Sequence, residues 1–302
     1  MASRKQLQLF DDHYEMLADP VRMQAYAQAI ARAVRPGDRV LDLGCGLGIL
    51  GFMALRAGAS KVYAVEKTDS IELARAIAER NGLSDRVEFF HGSSKDFQLA
   101  EPVDVLVSET LGSFGVEENT LDFTLDARQR LLKPGGRMVP QGLRAWLAPV
   151  CSAQACERLG FWSRPVQGLD FSPARDELLG RMSTASIASS DLLASPQVFA
   201  EVDLRRHEQV AVGRKLLFPI ERPGTLHGVA GWFDLMLDEE TSLSTSPEAP
   251  ATHWRQAVFP LRRAPSVVAG DYFELTLAIG PSGPRSDDTR VQLDFRCTQI
   301  SG

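Results

Sequence analysis

The run Asp42-Leu43-Gly44-Cys45-Gly46-Leu47-Gly48 constrains this chain more than any other stretch. It closes an apolar strand at residues 40–43 and opens a helical stretch at residues 49–56. Glycines at alternate positions let backbone approach a ligand where a Cβ would stand in the way. A glycine loop between a strand and a helix lies at the carboxyl edge of an open α/β sheet, where such sheets take their ligands.

The surrounding pattern agrees with that placement. Strands are expected at residues 61–65, 87–90 and 103–107, and again from Arg137. Between them come a helix with Ser70 as its N-cap, stopped at Asn81-Gly82, and a helix over about 121–132, stopped at Lys133-Pro134-Gly135-Gly136. Such alternation specifies a parallel sheet with helices on both faces. After Pro140, strand-like segments recur with turn signals between them, at residues 143–150, 199–204, 213–220, 228–237, 253–261, 272–279 and 290–295. That texture specifies an antiparallel barrel or sandwich. The expected division is a helical lid at 1–36, a Rossmann-like domain at 37–140 and a β-barrel domain at 141–302. Within the barrel, the irregular stretch at about 156–197 reads as an inserted arm.

Composition narrows the partners. With 44% hydrophobic and 24% charged residues in 302, the chain has the balance of a globular protein rather than a disordered or fibrous one. No apolar run approaches the roughly 20 residues that span a bilayer, so no membrane partner is expected. The opening Met1-Ala2-Ser3-Arg4-Lys5-Gln6 leads into no apolar stretch, so a cleaved secretion signal is not expected. A net charge of -6 is the wrong sign for a protein that neutralises nucleic-acid phosphates and suits a cationic partner instead. Cys45, Cys151, Cys156 and Cys297 have neither zinc spacing nor a disulfide framework, which fits a reducing cytoplasm and no structural metal.

The loop spacing is G-x-G-x-G rather than the dinucleotide G-x-G-x-x-G, and no Lys-Ser/Thr follows as a phosphate loop requires. Asp42, two residues before Gly44, points to S-adenosyl-L-methionine. Glu66 ends the second strand, where a carboxylate accepts both ribose hydroxyls and repels a ribose phosphate. A second loop, Ser108-Glu109-Thr110-Leu111-Gly112-Ser113-Phe114-Gly115-Val116-Glu117-Glu118, leaves the same sheet edge. Gly112 and Gly115 let it fold back so that Glu109 and Glu118 converge, with Glu117 a competitor for the second place. Two carboxylates in a partly buried site raise one another's pKa unless a cation lies between them. A planar, forked guanidinium is the natural cation.

Here the sequence resembles a known family. The two-glutamate loop, together with the glycine loop, resembles that of the protein arginine methyltransferases. Thr252-His253-Trp254 resembles that family's Thr-His-Trp loop, and Met16-Leu17-Ala18-Asp19-Pro20-Val21-Arg22 resembles the helix that folds over its cofactor. The resemblance implies an S-adenosyl-L-methionine-dependent methyltransferase domain followed by an antiparallel β-barrel. Its implied activity is methyl transfer to the guanidinium nitrogen of arginine in a protein or peptide. Glu109 and Glu118 would grip the guanidinium, His253 would pair with Asp19, and Arg22 would bind the cofactor's carboxylate. Met16, Asp42, Gly44, Gly46, Glu66, Ser94 and Glu109 would surround the cofactor, with Thr252 and Trp254 on the substrate side. A homodimer through an arm carrying Phe161-Trp162 is also implied.

The family pattern is not met everywhere. Leu9-Phe10-Asp11-Asp12-His13-Tyr14 only loosely approximates the usual aromatic helix, and Lys95 stands where an acid commonly receives the adenine amino group. Leu111-Gly112-Ser113-Phe114 resembles the branch that makes symmetric dimethylarginine, whereas Thr252-His253-Trp254 and Met16 resemble the asymmetric branch. The expected product is monomethyl or asymmetric dimethylarginine. The alternatives are a methyltransferase for a small guanidine or amine, and a non-catalytic module on the same scaffold.

Overall fold

Two helices, α1 (Arg4–Ala18) and α2 (Pro20–Ala33), precede the sheet in the computed structural model, which describes residues 4–179, 181–283 and 289–298. Asp19 separates them. Its backbone is extended, its carboxylate accepts the Arg22 amide at 3.0 Å, and Pro20 supplies a preset φ in the first turn of α2. Alternation then follows: β1 (Arg39–Leu43), α3 (Ile49–Arg56), β2 (Lys61–Glu66), α4 (Ser70–Arg80), β3 (Val87–His91), β4 (Val103–Ser108), α5 (Thr120–Leu131) and β5 (Leu132–Val139). These strands form one parallel sheet in the order β3-β2-β1-β4-β5. Leu41 of β1 stands between Tyr63 and Leu106, and Val40, Leu41 and Leu43 are buried, as strands covered on both faces require. The chain order reverses between β1 and β4. The loops leaving those two strands therefore open on one crevice.

Two local expectations need correction here. Asp69, not Ser70, occupies the N-cap of α4, and the Ser70 hydroxyl bonds Thr68 Oγ1 at 2.7 Å instead. Leu132 is strand rather than the end of α5: it pairs with Val103, and the register shifts before Arg137 meets Val105, so Lys133 to Gly136 form an irregularity within β5.

The second half is antiparallel. Its elements are β6 (Gly142–Val150), α6 (Glu157–Phe161), α7 (Ser172–Leu178), β7 (Ser183–Ala185), β8 (Gln197–Asp203), β9 (Val212–Pro219), β10 (Gly224–Thr225), β11 (Gly228–Met236), β12 (Ser242–Ser244), β13 (Gln256–Pro260), β14 (Ser266–Val267), β15 (Tyr272–Pro281) and β16 (Thr289–Thr298). One sheet runs β7-β13-β11-β6-β8 with β12 beside β11, a second runs β16-β15-β9, and β10 pairs with β14. The strand expected at 253–261 begins only at Gln256. Arg255 has φ 55°, which breaks extended backbone, and His253 and Trp254 sit in a turn before it. The arm is also shorter than 156–197. β7 pairs with β13, and Asp191 O and Pro149 O take the amides of Cys151 and Leu193, so the chain has rejoined the barrel by Ser183.

A continuous apolar cluster that includes Phe114 joins the two halves. Its ring lies 5.5 Å from those of both Phe199 and Phe259, fully buried in the barrel although its backbone belongs to the loop after β4. Full burial of such a side chain contributes about 1.5–3 kcal/mol. Gly231 on β11 makes the slot: a Cβ there would stand 2.6 Å from two ring carbons of Phe114 and 3.2 Å from Leu147. Gly231→Ala should therefore lower unfolding stability by about 1–3 kcal/mol in urea titration, as overpacking does. No loss would mean that the ring has room to move.

Candidate active site

A cavity of about 350 Å³ occupies the crevice at the carboxyl ends of β1, β2 and β4. Gly44 and Gly46 wall one side at φ 70° and 53°, in the left-handed region that glycine enters without strain. Each also meets a close neighbour. A Cβ on Gly44 would overlap the Thr110 methyl, and one on Gly46 would lie 2.7 Å from His13 Cε1. Glu66 reaches the cavity from the end of β2, oriented by the amides of Gly46 at 3.0 Å and Thr68 at 2.8 Å. Ser94 and Phe123 line the same cavity.

Helix α1 walls the opposite side. Leu9, His13, Met16 and Leu17 all line the cavity from α1, at spacing i, i+4, i+7 and i+8. His13 was not singled out among the candidate residues, although that spacing was legible. Its Nε2 is buried without a partner among the described residues, and burial holds its pKa below the usual value, against the pull of Glu66. Arg22 comes from the first turn of α2. Its Nε and Nη2 lie 2.7 and 2.5 Å from Glu109 Oε2, with both side chains at most 5% exposed, and Nη1 donates to Met16 O.

Asp19 connects lid to barrel. One oxygen caps α2, and the other receives both the His253 amide and His253 Nδ1, each at 2.9 Å. Burial opposes the charge, but the bonds from His253 and the Arg22 amide outweigh it and hold the Asp19 carboxyl below the usual range. Trp254, buried edge-on to Phe233, donates its Nε1–H to Leu111 O at 2.9 Å. The Thr-His-Trp turn thus holds the lid with one residue and the glutamate loop with the next.

Within that loop Glu109 and Glu118 both line the cavity, and they sense one another: burial raises the pKa of Glu118, the Glu109 charge raises it further, and Lys67 opposes. Glu117 lies outside the cavity wall. It accepts the Phe114 amide at 2.8 Å, its other oxygen is buried without a partner among the described residues, and its carboxyl is packed so closely on Gly112 that no Cβ fits. Burial pushes the Glu117 carboxyl up to about 7, with the Glu118 charge adding to the shift and the Phe114 amide offsetting part of it.

Several expected site residues stand back from the cavity. Asp42 is fully buried behind the glycine loop, where it accepts the Gly51 amide at 2.8 Å; burial pushes it up to about 7. Asp19, His253 and Trp254 do not line the cavity either and act through the contacts above, and Thr252 is likewise not in its wall. Met16, Arg22, Gly44, Gly46, Glu66, Ser94, Glu109 and Glu118 do line it. Lys95 is held by Asp122 and lies 5.6 Å from the centre of the Phe123 ring. The Ser94 carbonyl is taken by Arg130 at 2.9 Å.

Residues 144–300 match the family model for the arginine methyltransferase oligomerization subdomain, and residues 35–173 match a methyltransferase domain model. Protein arginine N-methyltransferase 1 of Schizosaccharomyces pombe is 34% identical over 292 residues, covering 94% of this chain and 86% of that protein. Protein arginine N-methyltransferase 6 of Xenopus tropicalis is 33% identical over 297 residues, covering 94% and 87%. Among solved structures, the Trypanosoma brucei PRMT1 enzyme–prozyme heterotetrameric complex with AdoHcy superposes with a TM-score of 0.83 at 28% identity, over 96% of this chain and 95% of that one. Arabidopsis thaliana protein arginine methyltransferase 10 gives 0.79 at 30%, over 96% and 93%.

Glu117 predicts a pH effect on stability. Its folded pKa of about 7 exceeds the unfolded 4.5, so its stabilising contribution is complete below pH 4.5 and lost as pH rises through 7. The shift corresponds to roughly 3 kcal/mol. Glu117→Gln should unfold at higher denaturant than the parent at pH 8, and the gap should close by pH 4. An equal gap at both pH values would contradict the buried-acid assignment.

Proposed function

The chain belongs to the protein arginine N-methyltransferase family, and from that membership we propose that it transfers a methyl group from S-adenosyl-L-methionine to a guanidinium nitrogen of arginine in a protein or peptide. The observation that carries the reading is that Glu109 and Glu118 line the same cavity as the glycine loop and Glu66.

The residues present suit that cofactor. Gly44 and Gly46 form a cradle that Cβ atoms would fill, Glu66 supplies a fixed carboxylate for ribose hydroxyls, and His13 brings a buried nitrogen with no partner among the described residues. Arg22 would hold the carboxylate, with Met16 and Ser94 as further walls and Asp42 supporting the loop from behind. When bound, the cofactor supplies an activated sulfonium methyl; aligning the acceptor with it is worth about 7–11 kcal/mol.

The acceptor is the harder half. Stripping a proton from a guanidinium of pKa near 13.8 at neutral pH costs on the order of 9 kcal/mol. The two glutamates divide the work. Glu109 stays fixed on Arg22 through Oε2, and Oε1, which takes the Leu111 amide at 3.3 Å, is the oxygen offered to the substrate. Burial and the Glu109 charge raise the pKa of Glu118 against the pull of Lys67, which suits it as a proton acceptor. Together they draw the guanidinium's positive charge toward the gripped N–H groups and leave one nitrogen richer in lone-pair density. The proton passes to Glu118 as that nitrogen is methylated. His253 and Asp19 hold the lid, while Thr252 and Trp254 shape the substrate side.

Monomethyl or asymmetric dimethylarginine is the proposed product. Met16 lines the cavity, whereas Phe114, which carries the likeness to the symmetric branch, is buried in the barrel. A homodimer through the arm is supported by exposed Phe161, Leu169, Phe171 and Leu178, and four free thiols suit the cytoplasm. No helix among the described residues is long and apolar enough to cross a membrane.

Incubation with heavy-methyl S-adenosyl-L-methionine and either an Arg/Gly-rich peptide or free arginine tests the reading by mass spectrometry. The peptide should gain label at arginine. Glu118→Gln should lower transfer about 100-fold or more while S-adenosylhomocysteine affinity stays within a few-fold. Full activity in that variant, or label on free arginine alone, would overturn it.

A further inference from the structure

The loop between β4 and α5 is closed at its base by Thr120 Oγ1, which donates to Thr110 O, and at its tip by the Gly115 amide on Gly112 O at 3.0 Å. A third closure comes from a side chain that the proposed mechanism leaves unused. Glu117 Oε1 accepts the Phe114 amide at 2.8 Å. Both glutamates lie on Gly112: a Cβ there would stand 2.6 Å from the Glu117 carboxyl carbon and 2.9 Å from Glu118 Cγ. Phe114 is itself anchored in the barrel, its ring 5.5 Å from those of Phe199 and Phe259. Glu117 therefore bonds a fixed point of the loop on one side and adjoins Glu118 on the other. With Glu117 turned inward, the next side chain leaves the turn toward the cavity, and Glu118 lines it.

The carboxyl is suited to do this as a neutral acid. It is 7% exposed, its Oε2 is buried without a partner among the described residues, and burial pushes it up to about 7. The amides of Phe114, Glu117 and Val116 favour the anion, but burial and the Glu118 charge outweigh them. Glu109, at the start of the same loop, adds a further carboxylate beyond Glu118. From the barrel, Phe233 packs on Gly115 and Trp254 holds Leu111, and neither carries a charge. Ionised, Glu117 would be a buried anion beside Glu118, and hydrating it requires the tip to open.

We infer that Glu117 is a positioning residue for methyl transfer: as a neutral acid it closes the tip of the loop and turns Glu118 into the cavity, and its ionisation releases both. The kinetic consequence rests on the methyl-transfer reading, whereas the loop closure is observable without turnover. The test measures kcat and KM for an Arg/Gly-rich peptide from pH 6 to pH 8.5 in the parent, Glu117→Gln and Glu117→Ala. Glutamine keeps an acceptor for the Phe114 amide and cannot ionise. Glu117→Gln should therefore match the parent kcat at pH 6 and exceed it about three-fold or more at pH 8.5. Glu117→Ala should lower kcat about ten-fold or more at every pH, with S-adenosylhomocysteine affinity and far-UV circular dichroism unchanged. Amide hydrogen exchange over residues 109–119 at pH 6 should be equally slow in the parent and Glu117→Gln and about ten-fold faster in Glu117→Ala. Full kcat in Glu117→Ala, a single pH profile shared by the parent and Glu117→Gln, or equal exchange in all three would each overturn the inference. A parent that shows this exchange pattern but labels no guanidine would remove the methyl-transfer reading and leave the loop closure standing.

Discussion

A guanidinium held against a carboxylate out of water, Arg22 on Glu109, is the contact around which the site is arranged. Neither charge is tolerable there alone: removing one partner from a buried pair costs about 3–5 kcal/mol, because the other is left uncompensated. The pair ties the first turn of α2 to the loop after β4, so the lid and the sheet edge are placed by one bond. It engages Oε2 of Glu109, while Oε1 takes the Leu111 amide at 3.3 Å.

The barrel supports this arrangement from the other side. Phe114 pins the middle of the glutamate loop in a slot made by Gly231, Trp254 holds Leu111, and Asp19 takes two bonds from His253. Tyr26 Oη donates to Ser108 O at 3.1 Å, and Arg32 grips Asp238 from α2 with two nitrogens. The carboxylates that face the cavity thus sit on a loop fixed at both ends and in the middle, which lets the chain keep charges close together that would otherwise spread apart.

What was legible in the sequence was what backbone sterics demand. Gly44 and Gly46 stand where the chain must turn left-handed, Glu66 ends its strand, and strand-like runs between turn signals located seven barrel segments close to their observed places. Side-chain direction was harder. Asp42 read as a ligand because of its spacing from Gly44, yet it points back into the fold to hold Gly51. Glu117 and Glu118 are indistinguishable as neighbours in sequence; packing against Gly112 decides that Glu117 turns inward. His13 carries no motif, and only the spacing of α1 would have marked it. β10, β12 and β14, of two or three residues, are too short for any period to register.

The most direct test is a crystal structure of the chain with S-adenosylhomocysteine and an arginine peptide. The account predicts the peptide guanidinium between the carboxyl groups of Glu109 and Glu118, with Arg22 still on Glu109. A guanidinium bound outside that cavity, with the two carboxylates turned apart, would contradict it.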